Sequence, residues 1–208
     1  SYLRIIDGDD SDLAGELDLG ETELIKTSPV LTDVNNDGKI EVIVGYDDAS
    51  GSLNLRAYSP TLNCGLTGWS PGGTHPDELL WSWSDPDLAI SRPSPSPSIS
   101  ISGHRPTTQL LLADTDHDGV DEILMSVWNQ ATEEINVLAM DLGTTPPTSP
   151  IWAASLDQGS HPSDPAYVQT DPSTGYVLIT TTDSSTGAVW LWKVDGANGN
   201  EAWSPRSM

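Results

Sequence analysis

Residues 28–46 read SPVLTDVNNDGKIEVIVGY, and residues 109–127 read QLLLADTDHDGVDEILMSV. The two align without a gap, so that Asp33 answers to Asp114 and Glu41 to Glu122. In each, a short apolar run enters a loop of Asp, Asn and Gly and leaves as a second apolar run. The runs are too short and too rich in β-branched residues for helices, and the loop between them has the chemistry of a turn. A third, weaker copy, AYVQTDPSTGYVLITTT, spans 166–182. A repeated unit sets the architecture before any single element does.

Each copy is followed by another apolar strand and then by a Trp-bearing one: LNLRAY with LLWSW, INVLAM with PIWAA, VWLWKV with NEAWS. Each unit therefore reads as four strands. The opening residues 3–19, LRIIDGDDSDLAGELDL, resemble residues 191–204, LWKVDGANGNEAWS, so the chain is expected to enter in the middle of a unit. The expected fold is all-β, with β-propeller blades of four antiparallel strands, about three and a half of them, in a single segment over 1–208. The expected units are a half blade at 1–20 and blades at 28–90, 106–156 and 161–204. The Pro/Ser-rich stretch 91–105 reads as an insertion, and 62–78 as a second excursion. A propeller needs ~4–8 blades to close. The chain is thus either a segment of a larger propeller or a short one that closes against another chain.

Composition narrows the function. Acidic residues number 31 and basic residues 8, for a net charge of −23. Such a field repels phosphate backbones, which excludes nucleic acid as a partner, and it disfavours anionic membrane surfaces. No apolar run approaches the roughly 20 residues needed to cross a bilayer, so direct membrane insertion is not expected. The single cysteine, Cys64, cannot form an internal disulfide. An Asp-rich, Lys-poor surface suits a cation-rich extracellular or saline setting.

The two loops carry the chemistry. Calcium takes six to eight oxygen ligands at about 2.3–2.6 Å. In the first loop, Asp33, Asn35 and Asp37 stand at positions 1, 3 and 5, with Gly38 at the sharp turn, Lys39 offering its carbonyl and Glu41 closing the set. In the second loop the corresponding residues are Asp114, Asp116, Asp118, Gly119, Val120 and Glu122. An EF-hand would need a Glu at position 12 and flanking helices. Position 12 is Val44 in one loop and Met125 in the other, and strands follow both. The EF-hand reading fails.

The pattern strand, D-x-[DN]-x-D-G-x-x-[DE], strand resembles the FG-GAP or VCBS repeat of integrin α-chain propellers and many bacterial and archaeal surface proteins. The resemblance covers 28–60 and 107–143 well, and 161–204 and 2–19 in outline. It implies a seven- or eight-bladed propeller with Ca2+ between the first two strands of some blades. Two sites are implied here: Asp33, Asn35, Asp37 and Glu41 with the Lys39 carbonyl, and Asp114, Asp116, Asp118 and Glu122 with the Val120 carbonyl. The third copy keeps Asp171 and Gly175 but lacks the other acids, so no metal is expected there.

Other residues divide between packing and ligand binding. Trp81 and Trp83 share one face of a strand, as do Trp190 and Trp192; packing between blades is favoured over a stacking platform for sugars. Trp69, inside a Gly-rich excursion, is the better candidate for ligand binding. His75, His104, His117 and His161 have no partner at metal-ligand spacing and read as surface residues, with His117 pointing outward. No catalytic signature is present. The leading expectation is a non-enzymatic, calcium-stabilised module of an extracellular or surface protein, for scaffolding, adhesion or binding of a protein or glycan, continuous with or packed against further blades. Two alternatives are part of a rhamnogalacturonan-lyase-like polysaccharide lyase and a structural subunit of a surface filament or sheath. The lyase would need a Lys, Arg or His beside an exposed calcium, and eight basic residues make poor ground for it.

Overall fold

The structure, a computed structural model, describes residues 2–6, 13–18, 24–35, 37–48, 50–59, 79–90, 109–129, 132, 134–142, 147–159, 161–183 and 185–207. Trp69, Cys64, His75, His104 and the insertion 91–105 lie outside these residues. The described residues form strands and no helix. The hairpin expected near the start is present: β1 (Tyr2–Ile6) pairs antiparallel with β2 (Leu13–Asp18).

Three larger sheets follow. The first holds β3 (Leu24–Ile25), β4 (Val30–Thr32), β5 (Glu41–Asp47), β6 (Leu53–Tyr58) and β7 (Leu79–Asp85). The middle sheet holds β8 (Leu88–Ala89), β9 (Leu111–Ala113), β10 (Glu122–Asn129), β11 (Glu134–Met140) and β12 (Trp152–Leu156). The last holds β13 (His161–Pro162), β14 (Ala166–Asp171), β15 (Thr174–Thr182), β16 (Val189–Asp195) and β17 (Glu201–Ser207). All pairings are antiparallel.

Each sheet is four lanes wide, with its first lane in two pieces. β3 and β4 both pair with β5, one at each end: Leu24 lies opposite Asp47 and Val30 opposite Ile43. β8 and β9 share β10 in the same way, and β13 and β14 share β15. The break has a chemical cause. Pro29 and Pro165 fall in the gap and have no N–H to give a ladder. A hydroxyl bridges it instead: Gly45 N–H donates to Thr27 Oγ1 (2.8 Å), and Thr180 N–H to Ser163 Oγ (3.0 Å). In the middle sheet the break falls between Ala89 and Leu111, which is where the insertion sits. Leu88 and Ala89, read from sequence as the end of the 28–90 unit, pair with Asn129 and Trp128 and so belong to the middle sheet.

The middle sheet is covered on both faces. Ile123, Met125, Val127, Leu138 and Met140 share one apolar cluster with Leu55, Ala57, Trp81 and Trp83 of the first sheet. Leu124, Val137, Ala139 and Trp152 share another with Val177, Ile179, Trp192 and Val194 of the last sheet. This explains why β10 is buried along nearly its whole length and why its sequence, EILMSVWN, does not alternate. Each fully buried side chain of this size contributes about 1.5–3 kcal/mol by burial. Trp81, Trp83 and Trp192 are core residues between sheets, and Trp190 is half-buried against the same packing. Polar links tie the sheets as well. Ile90 N–H donates to Asp47 Oδ1 (2.8 Å), and Trp152 Nε1–H to the Gly196 carbonyl (2.7 Å). Asp47 also holds Lys26 in a buried ion pair at 3.1 Å.

Candidate metal centre

Both loops connect the broken first lane to the second strand, so each carries its charges to the end of a buried β-strand. Gly38 and Gly119 adopt the left-handed conformation, with φ of 83° and 91°. That is the turn the sixth position was read to need, and a side chain there would be strained. The loop amides then fold inward onto the acids. Gly38 N–H donates to Asp33 Oδ2 (2.8 Å) and Gly119 N–H to Asp114 Oδ2 (3.1 Å). Lys39 and Val120 donate their N–H groups to Asp37 and Asp118.

The closing glutamates are the most enclosed members. Glu41 and Glu122 open β5 and β10 and are 0% and 1% exposed. Each takes the N–H of the second loop residue: Val34 to Glu41 at 3.0 Å, Thr115 to Glu122 at 2.5 Å. Thr115 adds its hydroxyl to Glu122 at 2.6 Å. A buried carboxylate thus fixes the entry to each loop, a structural role that the ligand pattern did not foretell.

The two loops then diverge. In the second, ligand atoms of Asp114, Asp116 and Glu122 lie within 4.8 Å of one another, an arrangement able to hold a metal ion. Asp118 stands outside this group. In the first loop no such three-acid cluster forms among the described residues. Its third position is the amide Asn35, and Asp37 turns an oxygen towards Lys39 Nζ (3.5 Å). The Lys39 backbone N–H is the chief reason the Asp37 carboxyl sits below its ordinary pKa.

The second loop is electrostatically uncomfortable. Burial raises the Glu122 carboxyl above the usual range; the Thr115 hydrogen bonds pull it back, and the charges of Asp116 and Asp114 push it up again. At such distances two carboxylates repel by up to about 4 kcal/mol at an effective dielectric of 20. Asp114 Oδ1 is enclosed and has no hydrogen-bond partner. A buried, unpaired carboxylate oxygen is costly unless a cation meets it. Oxygen-only donors of this kind suit calcium or magnesium rather than zinc.

His117 differs from the reading of it as an outward-pointing surface residue. It adopts a left-handed φ of 67°, is half-buried, and its Nε2 is enclosed without a partner. The Asp171 carboxyl of the last sheet sits below its ordinary pKa chiefly through the Ser173 N–H and hydroxyl, with His117 the least of the causes. His161 is exposed. In the third copy the loop is a tight hairpin, with Ser173 N–H and hydroxyl both donated to Asp171 Oδ1. Comparison of the chain with protein-family models, with characterised proteins and with solved structures finds no match.

Proposed function

We propose that this chain is a calcium-stabilised segment of a β-propeller, serving as a non-enzymatic scaffolding or binding module of an extracellular or cell-surface protein. The observation that carries the reading is the Asp114–Asp116–Glu122 cluster with its enclosed, unpartnered Asp114 oxygen. Such a cluster is unfavourable alone and favourable around a divalent cation. The sheet plan is consistent with blades: three four-lane sheets follow one another, and β10 and β11 of the middle one are covered on both faces, unlike the strands of a two-layer sandwich. Calcium in the second loop pins the β9–β10 connection and neutralises the charge at the head of a buried strand. The first loop, with the same ligand spacing, takes a second ion more weakly because Asn35 replaces an acid.

No described Lys or Arg stands in the 114–122 loop, where His117 is the basic side chain, and each described Lys and Arg side chain already has a partner, which favours the module over a lyase. Lys26 pairs with Asp47, Lys39 with Asp37, Arg56 with the Tyr46 ring, Lys193 with the Tyr176 ring and Arg206 with the Trp203 ring.

Calorimetric titration of calcium into chelator-treated protein, with melting curves on both forms, tests this. At a calcium concentration one hundred times Kd, the ion adds ~2.7 kcal/mol of stability. For a chain of this size that raises Tm by roughly 5–11 °C. Asp114→Asn, which keeps an oxygen for Gly119, removes the tighter binding event and most of the rise. A melting curve indifferent to both chelator and calcium overturns the reading.

A further inference from the structure

The three sheets repeat one packing unit on the face that each turns towards the next. In the first sheet Ile43, Ala57 and Trp81 stand side by side across β5, β6 and β7. Leu124, Ala139 and Trp152 hold the same register in the middle sheet, and Leu178, Lys193 and Trp203 in the last. The first two trios are buried. Each is met by a residue from the first lane of the sheet that follows: Leu112 packs against the cluster holding the first trio, and Tyr167 against the one holding the second. Leu112 pairs with Ile123 and Tyr167 with Val177, so these two also share a register. The Trp152 indole crosses the same boundary to the Gly196 carbonyl.

Both ends of the series lack their counterpart. Leu178 points away from the middle sheet, since its neighbours Val177 and Ile179 point into it. Leu178, Lys193 and Trp203 are half-buried where the equivalent residues are sealed. At the other end, Leu31 pairs with Val42 and so holds the register of Leu112 and Tyr167, yet it is 62% exposed. Ile40, at the end of the first loop, is 51% exposed. Val42, Val44 and Tyr58 at the centre of that face are already buried, so the apolar surface left open there is that of Leu31 and Ile40.

The two ends also differ in charge. Lys193 takes the place of Ala57 and Ala139. Its Nζ lies 3.4 Å from the centre of the Tyr176 ring and 5.0 Å from that of Trp203, and the Arg206 guanidinium lies 5.2 Å from the Trp203 ring. Among the described residues neither cation stands within ion-pair distance of an acid, in a chain where acids outnumber bases 31 to 8. The loop that follows Leu31 carries Asp33 and Asp37. One end thus offers apolar and aromatic surface with positive charge, and the other offers apolar surface with an acidic loop, a complementary pair.

We propose that a second copy of this chain supplies the missing counterpart: the outer face of one copy's last sheet takes the Leu31 rim of another copy's first sheet, as β9 meets the first sheet and β14 the middle one within the chain. The contact is head to tail, so it builds a ring or an open string of copies rather than a self-complementary pair. Two like faces do not pair, because Lys193 and Arg206 would meet themselves. The proposal stands on strand register and exposure, and not on the reading of the 114–122 loop as a cation site.

Sedimentation velocity of the full chain in calcium-containing buffer, from micromolar to millimolar concentration, tests this. Wild type grows in mass with concentration. Leu31→Asp and the double variant Lys193→Glu with Arg206→Glu each lose that growth, while circular dichroism and melting stay near wild type. Should the double variant lose its fold, Arg206→Glu alone, at an exposed residue, gives the same comparison. Each variant keeps one working face, so Leu31→Asp mixed with the double variant forms dimers of about twice the monomer mass and nothing larger. A wild type that stays monomeric throughout overturns the proposal and leaves the face to a different partner. Association that survives in Leu31→Asp, or a mixture that stays monomeric, overturns the pairing of these two surfaces.

Discussion

Asp183 closes the connection between β15 and β16 with one side-chain oxygen. It accepts the Ser185 hydroxyl (2.7 Å), the Ser185 N–H (2.8 Å) and the Thr186 N–H (3.3 Å). These bonds, the Ser185 hydroxyl foremost, hold its pKa at about 2, against an ordinary 3.8. Because the folded value lies below the unfolded one, the turn's contribution is complete above the ordinary value and is lost as pH falls from there through about 2. NMR titration of the side-chain carboxyl should show a midpoint near 2, and Asp183→Asn should flatten the stability change across that window. The side chain is exposed, so the effect is small. The same bond to an amide two residues on recurs at Asp48, Asp85, Asp171 and Asp195. Much of the chain's aspartate is therefore turn chemistry, not only solvated surface as its abundance suggested. What sets Asp114 and Asp116 apart is convergence on a buried glutamate, and that much was readable from spacing. Gly175 was read as the glycine kept from the ligand pattern; in the structure it clears the seat of the Tyr167 side chain.

The strands themselves were legible where apolar runs met turn residues, and β5, β6, β10, β11, β15 and β16 fall where the runs lie. The split first lane was not. Its signal is present in the sequence as a hydroxyl residue two before a proline: Thr27-Ser28-Pro29, Ser91-Arg92-Pro93 and Ser163-Asp164-Pro165. The middle instance is hidden at the head of the Pro/Ser-rich insertion, so composition masked the repeat. Proline ends one short strand, and the hydroxyl takes the amide that the broken lane would leave unpaired. Thr27 is 4% exposed, so nothing else can meet the Gly45 N–H if its oxygen is removed. Thr27→Val, which keeps the shape, is expected to cost about 1–3 kcal/mol, the price of an unsatisfied buried donor. Thr27→Ser should recover most of it. Urea denaturation measures both, and faster hydrogen exchange at the Gly45 amide in Thr27→Val locates the loss. Equal stability of Thr27→Val and wild type would mean that the bridge contributes nothing.

At the scale of the whole molecule, the repeat foretold successive sheets of one plan, whereas closure about an axis is a property of chain beyond any one interface and no residue pattern states it. Charge is the other global term. A net charge of −23 is confined to a smaller volume when the chain folds, so self-repulsion opposes the native state. Monovalent salt should relieve this, since the screening length falls from ~30 Å at 0.01 M to ~10 Å at 0.1 M. The calcium-free protein is therefore expected to gain Tm as sodium chloride rises over that range. This general effect must be separated from a specific ion. Magnesium carries the same charge as calcium but demands near-octahedral geometry and keeps its waters, so it fits a tight loop of carboxylates less well. With ionic strength matched, calcium should raise Tm more than magnesium, and magnesium little more than sodium. Asp114→Asn should erase most of the difference between calcium and magnesium while leaving the sodium chloride response in place, because one carboxylate in 31 hardly alters the overall field. Equal gains from calcium and magnesium in the wild type would reduce the metal effect to screening, and the 114–122 loop to a turn.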